Sequence, residues 1–273
     1  MVDPKPPRRT DLHLHSTASD GLLSPTELAA ACCAAGIRTA ALTDHDTTVG
    51  YPEFSAAATP LGVLPIVGAE IAAQHQGEEV HLLAFFPKLP RGVFAALLAR
   101  LTGERRARAE EMLSRLAALG MPLPGAGEVL SHPQVGRPHV ARALVRQGFV
   151  RDTGEAFRRY LVPGAPAYVE RWRPEAADAI ARCHDEGGIV SLAHPANYRS
   201  PHLGELAAEG LDAVEVNHPS ATRSRRQLLR RETLSLGLLR TGGSDFHGGT
   251  ESGPGAVGLG PTDARHFLER LLA

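Results

Sequence analysis

The stretch TDLHLHSTASDG (10–21) sets His13 and His15 two residues apart with Asp20 close behind, and TDHD (43–46) sets Asp44, His45 and Asp46 together. In a strand, residues i and i+2 point to one face, so the two imidazoles of the first stretch share a direction. Glu70 ends an apolar run and His81 lies on the next. His194 ends GIVSLAHP, Asn217 and His218 end DAVEVNHP, and Asp245 and His247 end TGGSDFH. Burying that many ionisable groups side by side without a cation would be severely destabilising. Neutral imidazoles and carboxylates are the donors that divalent metals accept, so the pattern points to a metal site.

The elements that must carry these residues alternate. RTDLHLH, RTAALTDHD, GVLPIVGAEIAA and HQGEEVHLLAFF read as strands, the last two joined as a hairpin through Gln76–Gly77. SPTELAAACCAAG (24–36) reads as a helix with Ser24 as N-cap, Pro25 at N1, Glu27 at N3 and Gly36 past its end. From about 91 to 165 the texture changes to a long Ala-, Leu- and Arg-rich helix and several short ones, with no convincing strand. Strand and helix then alternate again to the closing TDARHFLERLLA. Such succession argues for a parallel sheet, closed or open, interrupted by a helical insertion. In parallel α/β folds ligands gather at the C-terminal ends of the strands, where these polar residues stand, so they converge in space.

The chain has 273 residues, 43% of them hydrophobic and 22% charged, which suits a globular domain with a full core. A formal net charge of −1 carries no global basic field, so no DNA duplex is expected as a partner. Three cysteines, two of them adjacent (Cys32 and Cys33), make no disulfide framework. No apolar stretch approaches the roughly 20 residues of a membrane span, and MVDPKPPRRT has no signal-peptide core, so the cytoplasm is the expected location and no membrane is involved. Oligomeric state is not legible.

In order, DLHLHSTASDG, ALTDHDT, GAEI, VHLLAFF, LAHP and GSDFHG resemble the motif series of the PHP (polymerase and histidinol phosphatase) family, across 11–248. The resemblance implies an α/β fold, a distorted (β/α)7 TIM-like barrel over 1–99 and 166–273, with a helical insertion or cap over 100–165. It implies three divalent metal ions at the C-terminal face of the barrel. His13 and His15 would bind the first with Glu70 and Asp245. Glu70 would bridge to a second, completed by His81 and His194, and Asp20, His45 and His247 would hold the third. Manganese is expected, and the same donors admit iron or zinc. Asp44 is expected to orient a metal-bound imidazole. Asp46 is expected to cap the helix that follows or to serve the metals.

The insertion narrows the branch. VGRPHVARALVRQGFV and AFRRYLVPGAPAYVE resemble the PHP phosphoesterases that hydrolyse nucleoside 3′,5′-bisphosphates, some of which also trim short RNA from the 5′ end. The implied activity is removal of the 3′-phosphate to give a 5′-mononucleotide. The alternatives are a phosphatase of another small phosphomonoester such as histidinol phosphate, and a non-catalytic metal- or nucleotide-binding module. Pro138 fits N1 of a helix, so Arg137 and the free N–H groups of the first turn form an anion site for the uncleaved phosphate. Ala165 departs from the basic residue expected before PAYV, with Arg171 and Arg173 just downstream. His139 and Asn217 are candidates for substrate contact, and His218 for substrate contact or for proton delivery to the leaving oxygen. His75, His132, His184, His202 and His266 fall in turns, loops or helix surfaces and read as structural or solvated. RSRRQLLRR (223–231) reads as a solvated helix face, or as an attractor of a short oligonucleotide.

Overall fold

The computed structural model describes residues 10–198, 202–249 and 253–273. The chain divides into two compact units, Met1–Leu97 with Pro174–Ala273, and Leu98–Arg173. In chain order the elements are β1 (Thr10–Leu14), α1 (Pro25–Ala34), β2 (Thr39–Leu42), α2 (Tyr51–Ala58), β3 (Leu64–His75) and β4 (Glu78–Phe86). Then come α3 (Val93–Ala118), α4 (Ala126–Leu130), α5 (Arg137–Arg146) and α6 (Thr153–Ala156), the last continuing into a wider turn over Phe157–Leu161. α7 (Ala176–His184), β5 (Ile189–Leu192), α8 (Leu203–Ala208), β6 (Ala213–Asn217), α9 (Arg223–Ser235), β7 (Leu239–Gly242) and α10 (Pro261–Leu271) complete the chain.

In the first unit the seven strands form one sheet in sequence order, and bridges Leu14–Phe246 and Thr10–Leu259 bring its two ends together into a nearly closed, distorted barrel. Parallel pairing holds except at β4, which runs antiparallel to both β3 and β5. The cause is the two-residue turn: Gln76 and Gly77 both take positive φ (50° and 80°), as a type I′ hairpin requires, and leave no room for a crossover. This reversal decides where His81 lands. Paired with Ala72, it stands near the start of β4, at the barrel end where the parallel strands finish.

Local sequence accounts for the helices that brace the strands. The Ser24 hydroxyl accepts the Glu27 N–H and the Glu27 carboxylate accepts the Ser24 N–H, a capping box at the start of α1. Leu28, Cys32 and Phe54 of α1 and α2 bury against Leu14 and Leu42. Phe267 and Leu271 of α10 pack with Ile66, Phe85 and Ile189, and the Phe85 and Phe267 rings meet edge to face at 5.1 Å. Each such side chain contributes about 1.5–3 kcal/mol on burial.

The second unit has its own core, in which Ala109, Met112 and Leu116 of α3 meet Val140 and Leu144 of α5, Leu161 and Ala167. It runs to 173 rather than 165, because the Arg100 guanidinium lies 3.3 Å over the Trp172 ring and Arg108 Nε donates to Val169 O at 2.7 Å. α5 begins at Arg137, one residue earlier than expected, so Pro138 is its second residue. Among the described residues no strand falls in this unit, and no helix is long and apolar enough to cross a membrane.

Candidate metal centre

His13 and His15 bracket the buried Leu14 at the end of β1. Each presents an Nε2 lying 3.3 Å from Glu70 Oε2 and 3.3 Å from Asp245 Oδ1. Four equal separations are what donors around a common centre would show. At metal–donor distances of about 2.0–2.2 Å, neighbouring donors of a tetrahedral set stand roughly 3.3–3.6 Å apart. His13 Nε2 and His15 Nε2 are buried between these carboxylates without a hydrogen bond of good geometry, so each fits a lone pair aimed at a cation.

Glu70 continues the cluster. Its Oε1 is 2.7 Å from His81 Nδ1 and 3.0 Å from His194 Nε2, and its Oε2 is also 3.1 Å from His45 Nδ1. One buried carboxylate thus touches the imidazoles of His13, His15, His45, His81 and His194. Asp20 lies 3.4 Å from His247 Nε2 and 3.9 Å from His45 Nε2, and the His15 and His247 rings stack at 4.0 Å. The fold therefore gathers into one contiguous cluster the nine residues His13, His15, Asp20, His45, Glu70, His81, His194, Asp245 and His247. Donor atoms of His15, Asp20, His45 and His247, and those of His13, His15, Glu70 and Asp245, form compact sets spanning no more than 4.8 Å.

The backbone is bent to achieve this. His194 and Asp245 follow their strands with φ of 33° and 51°, and Asp46 has φ of 54°. A non-glycine residue held there costs of order 1–3 kcal/mol, a strain that collects at functional sites.

Sequence reading missed Glu215. It is fully buried on β6, with Oε1 3.1 Å from His13 Nδ1, and its Oε2 accepts the His194 backbone N–H at 2.7 Å. A carboxylate on Nδ1 selects the neutral His13 tautomer whose Nε2 lone pair is available to a metal beside Glu70 and Asp245. The signal was a charged residue at the centre of the apolar run DAVEV. His247 is fixed in the same way by the Asp245 carbonyl, 2.9 Å from its Nδ1. The Tyr198 hydroxyl accepts the His81 backbone N–H at 2.8 Å and lies 3.4 Å from His194 Nδ1. Asp11 accepts from the N–H groups of His13, Ser244 and Gly255 and from the Ser244 hydroxyl, stitching β1 to the segment after β7. Burial pushes its carboxyl up to about 6 against those hydrogen bonds.

Two expectations are corrected. Asp44 orients no imidazole: its carboxylate accepts from the Ser16 N–H and the Ser16 and Ser19 hydroxyls, pinning the loop that carries Asp20. A short aspartate followed by a turn reaches hydroxyls across the barrel mouth sooner than a ring. Asp46 does not cap α2, whose N-cap is Gly50; its left-handed backbone turns the chain so that its N–H reaches Glu70 O at 2.8 Å.

Burial opposes charge throughout the cluster, and the opposite charges outweigh it. Burial raises the Glu70 carboxyl, but His45, His13 and His81 hold it well below the usual range. Asp245 is depressed likewise, chiefly by His13 and His15, and Asp20 by His45 and His247. Burial lowers His15, yet the Asp245 and Glu70 carboxylates beside it lift it to about 10; against the same burial Glu70 lifts His81 to about 9. Without metal, protons stand in for cations.

His218 borders the cluster. Its Nε2 is 3.3 Å from Asp245 Oδ2, and its ring centroid is 5.5 Å from that of His194. Its Nδ1 accepts the Ser220 backbone N–H at 3.2 Å, so in the neutral ring the proton sits on Nε2. Asn217 is turned to other work: its amide donates to Gly258 O and its oxygen accepts from Arg230.

In the second unit, His139 Nδ1 accepts the Gly136 N–H at 3.1 Å, and its ring lies 3.9 Å from that of His132. The Arg137 guanidinium is 5.8 Å from the Phe157 ring. Arg108 is nine-tenths buried, and its Nη2 makes no hydrogen bond. Burial first, then the charges of Arg137, Arg171 and Arg173, push it down to about 10. Glu170, exposed and paired with Arg173, is the carboxylate beside this group.

The PHP domain family matches residues 11–89. A protein of Haemophilus influenzae named 5′-3′ exoribonuclease is 36% identical over 88% of this chain and 90% of its own length. A Chromobacterium violaceum protein named 3′,5′-nucleoside bisphosphate phosphatase is 33% identical over 89% of this chain and 88% of its own. A solved structure from Bifidobacterium adolescentis, described as a metal-dependent phosphoesterase, superposes with a TM-score of 0.85 at 29% identity, covering 97% of this chain and 98% of that one.

Proposed function

The chain belongs to the PHP family of metal-dependent phosphoesterases, and from that membership we propose that it removes the 3′-phosphate of nucleoside 3′,5′-bisphosphates, giving 5′-mononucleotide and phosphate. The observation that carries this reading is the single buried carboxylate of Glu70, shared by five imidazoles and flanked by Asp245 and Asp20. Three divalent ions, manganese first, would be held by His13, His15, Glu70 and Asp245, by Glu70, His81 and His194, and by Asp20, His45 and His247. Such ions lower the pKa of a water and offset charge on phosphoryl oxygens.

The protein's own groups do the rest. Glu215 and the Asp245 carbonyl hold His13 and His247 in the tautomers that bind. As an imidazolium, with Nδ1–H donating to the Ser220 hydroxyl, His218 can pass its Nε2 proton to the departing ribose oxygen and return to a neutral ring. The uncleaved 5′-phosphate needs a cationic contact of its own. Arg137 and Arg108, whose Nη2 makes no hydrogen bond, support that role, since an anion would relieve the repulsion among Arg108, Arg137, Arg171 and Arg173.

A second activity, 5′→3′ trimming of short RNA, is favoured by the Haemophilus relative's name and by chemistry. The first nucleotide of 5′-phosphorylated RNA carries the same 5′-phosphate and the same 3′-O–P bond, there within a phosphodiester, so breaking that bond releases a 5′-mononucleotide in both cases.

The test is steady-state phosphate release from a nucleoside 3′,5′-bisphosphate and from histidinol phosphate, for wild type and Arg137→Ala. Loss of a charge-assisted contact costs about 1.5–3 kcal/mol, which is roughly 10- to 150-fold in kcat/KM. That loss is expected on the bisphosphate, with a much smaller one on the monophosphate. Equal losses on both, or faster turnover of histidinol phosphate by wild type, would overturn the substrate assignment.

A further inference from the structure

Away from the barrel mouth, His75 at the end of β3 and His202 and Glu205 at the start of α8 form a second group of metal donors. His75 is buried, with Nε2 3.4 Å from Glu205 Oε2, and His202 Nδ1 is 3.2 Å from the same oxygen. The three donor atoms lie within 4.8 Å of one another, and the two rings meet at 61° with centroids 5.6 Å apart. None of them belongs to the catalytic cluster.

We propose that His75, His202 and Glu205 bind a zinc ion that ties the β3–β4 hairpin to α8, separate from the catalytic metals. The two imidazole–carboxylate spacings, 3.4 and 3.2 Å, are close to the roughly 3.3–3.6 Å of neighbouring donors around a tetrahedral ion. Two imidazoles and a carboxylate make the borderline N₂O set that zinc accepts, with water in the fourth position.

Two further observations point to a cation. Glu209 Oε2 stands 3.4 Å from His75 Nδ1, on the far side of the ring from Glu205. A carboxylate, then an imidazole, then a metal is the usual order at zinc sites: Nδ1–H donates outward and the Nε2 lone pair faces the ion. Glu205 Oε2 is also crowded: it accepts from Gln76 Nε2 and lies in hydrogen-bond distance of His75 Nε2, with His202 Nδ1 facing it as well. A carboxylate oxygen has about two lone-pair sites, and Gln76 and His75 already face both, so the His202 nitrogen beside it is left for a cation. With zinc present, both imidazoles turn lone pairs to the ion, and Glu205 keeps one lone pair for zinc and one for Gln76.

The test compares wild type with His202→Ala and Glu205→Gln. Metal-stripped protein is titrated with Zn²⁺ against a competing chromophoric chelator, and crystals grown with one added equivalent beyond the catalytic set are examined by anomalous scattering at the zinc edge. Wild type is expected to bind one more zinc than either variant, with an anomalous peak between His75 Nε2 and His202 Nδ1. Manganese-supported phosphate release should be unchanged in both variants, which separates this site from the catalytic one. Equal zinc stoichiometry in wild type and variants, no peak at His75, or binding only in large excess would overturn the proposal. If one variant fails to fold, the other and the wild-type crystal decide.

Discussion

Replacing Glu215 with glutamine keeps the size of a fully buried side chain and removes its charge. In the native site the two oxygens serve two donors: Oε1 takes His13 Nδ1–H at 3.1 Å and Oε2 takes the His194 backbone N–H at 2.7 Å. Glutamine has one oxygen and one NH₂, so one donor must face another donor in a site closed to water. An unsatisfied buried donor costs about 1–3 kcal/mol. If the amide oxygen keeps His194, His13 loses its partner and the ring is free to take the wrong tautomer, with its proton on the nitrogen that faces Glu70. If the oxygen keeps His13, the strained backbone of His194 is released. Either way a metal donor is misplaced, and changes of this kind cost about 10- to 100-fold in metal affinity or activity. The assay is manganese titration of metal-stripped protein, with bound metal and phosphate release read together. Expected is a 10- to 100-fold weaker apparent affinity, with turnover recovering in part at high manganese. An affinity within twofold of wild type would refute the argument that Glu215 acts through His13.

Three other outcomes follow from the same site. His218→Asn should keep full metal content while kcat falls by roughly 10²- to 10⁴-fold; activity on an ester with a good leaving group, such as p-nitrophenyl phosphate, should fall far less, and equal losses on both would exclude proton delivery. In metal-free protein His15 and His81 hold protons up to about pH 10 and 9, so loading with manganese at pH 7 should release at least these two protons, read by an indicator dye in weak buffer; release of none would contradict the pairing. Because both folded values lie above the ordinary histidine value near 6.5, their stabilising contribution is complete below that pH and is lost as pH rises through 9 and 10. The melting temperature of metal-free protein should therefore fall across that window, and that of the loaded protein should not.

The chemistry was more legible in the sequence than its supports. His13, His15, Glu70, Asp245 and the other expected ligands stood out because ionisable residues closed apolar runs, and β-strand periodicity told which of them share a face. The hairpin turn was legible in Gln76–Gly77, but the orientation of His81 depends on the resulting strand reversal, which a strand–helix alternation does not encode. Glu215 was hidden because it sits inside a strand rather than at its end, and its partner is 202 residues away in sequence. Asp44 was placed near the right neighbours but on the wrong ones, since a side-chain hydrogen bond depends on loop path and not on type. Arg108 reads as one of many arginines on α3 until burial separates it from the solvated ones.

The account stands on one shared centre built by His13, His15, Glu70 and Asp245, and His15→Ala tests it most directly. His15 is fully buried with Nε2 facing the Glu70 and Asp245 carboxylates, so its ring serves the centre rather than the core. Bound metal and phosphate release from a nucleoside 3′,5′-bisphosphate are measured on the same folded sample, with circular dichroism to verify the fold. The prediction is loss of at least one ion per chain and of nearly all turnover while the fold persists. Unchanged metal stoichiometry with normal turnover would contradict the account.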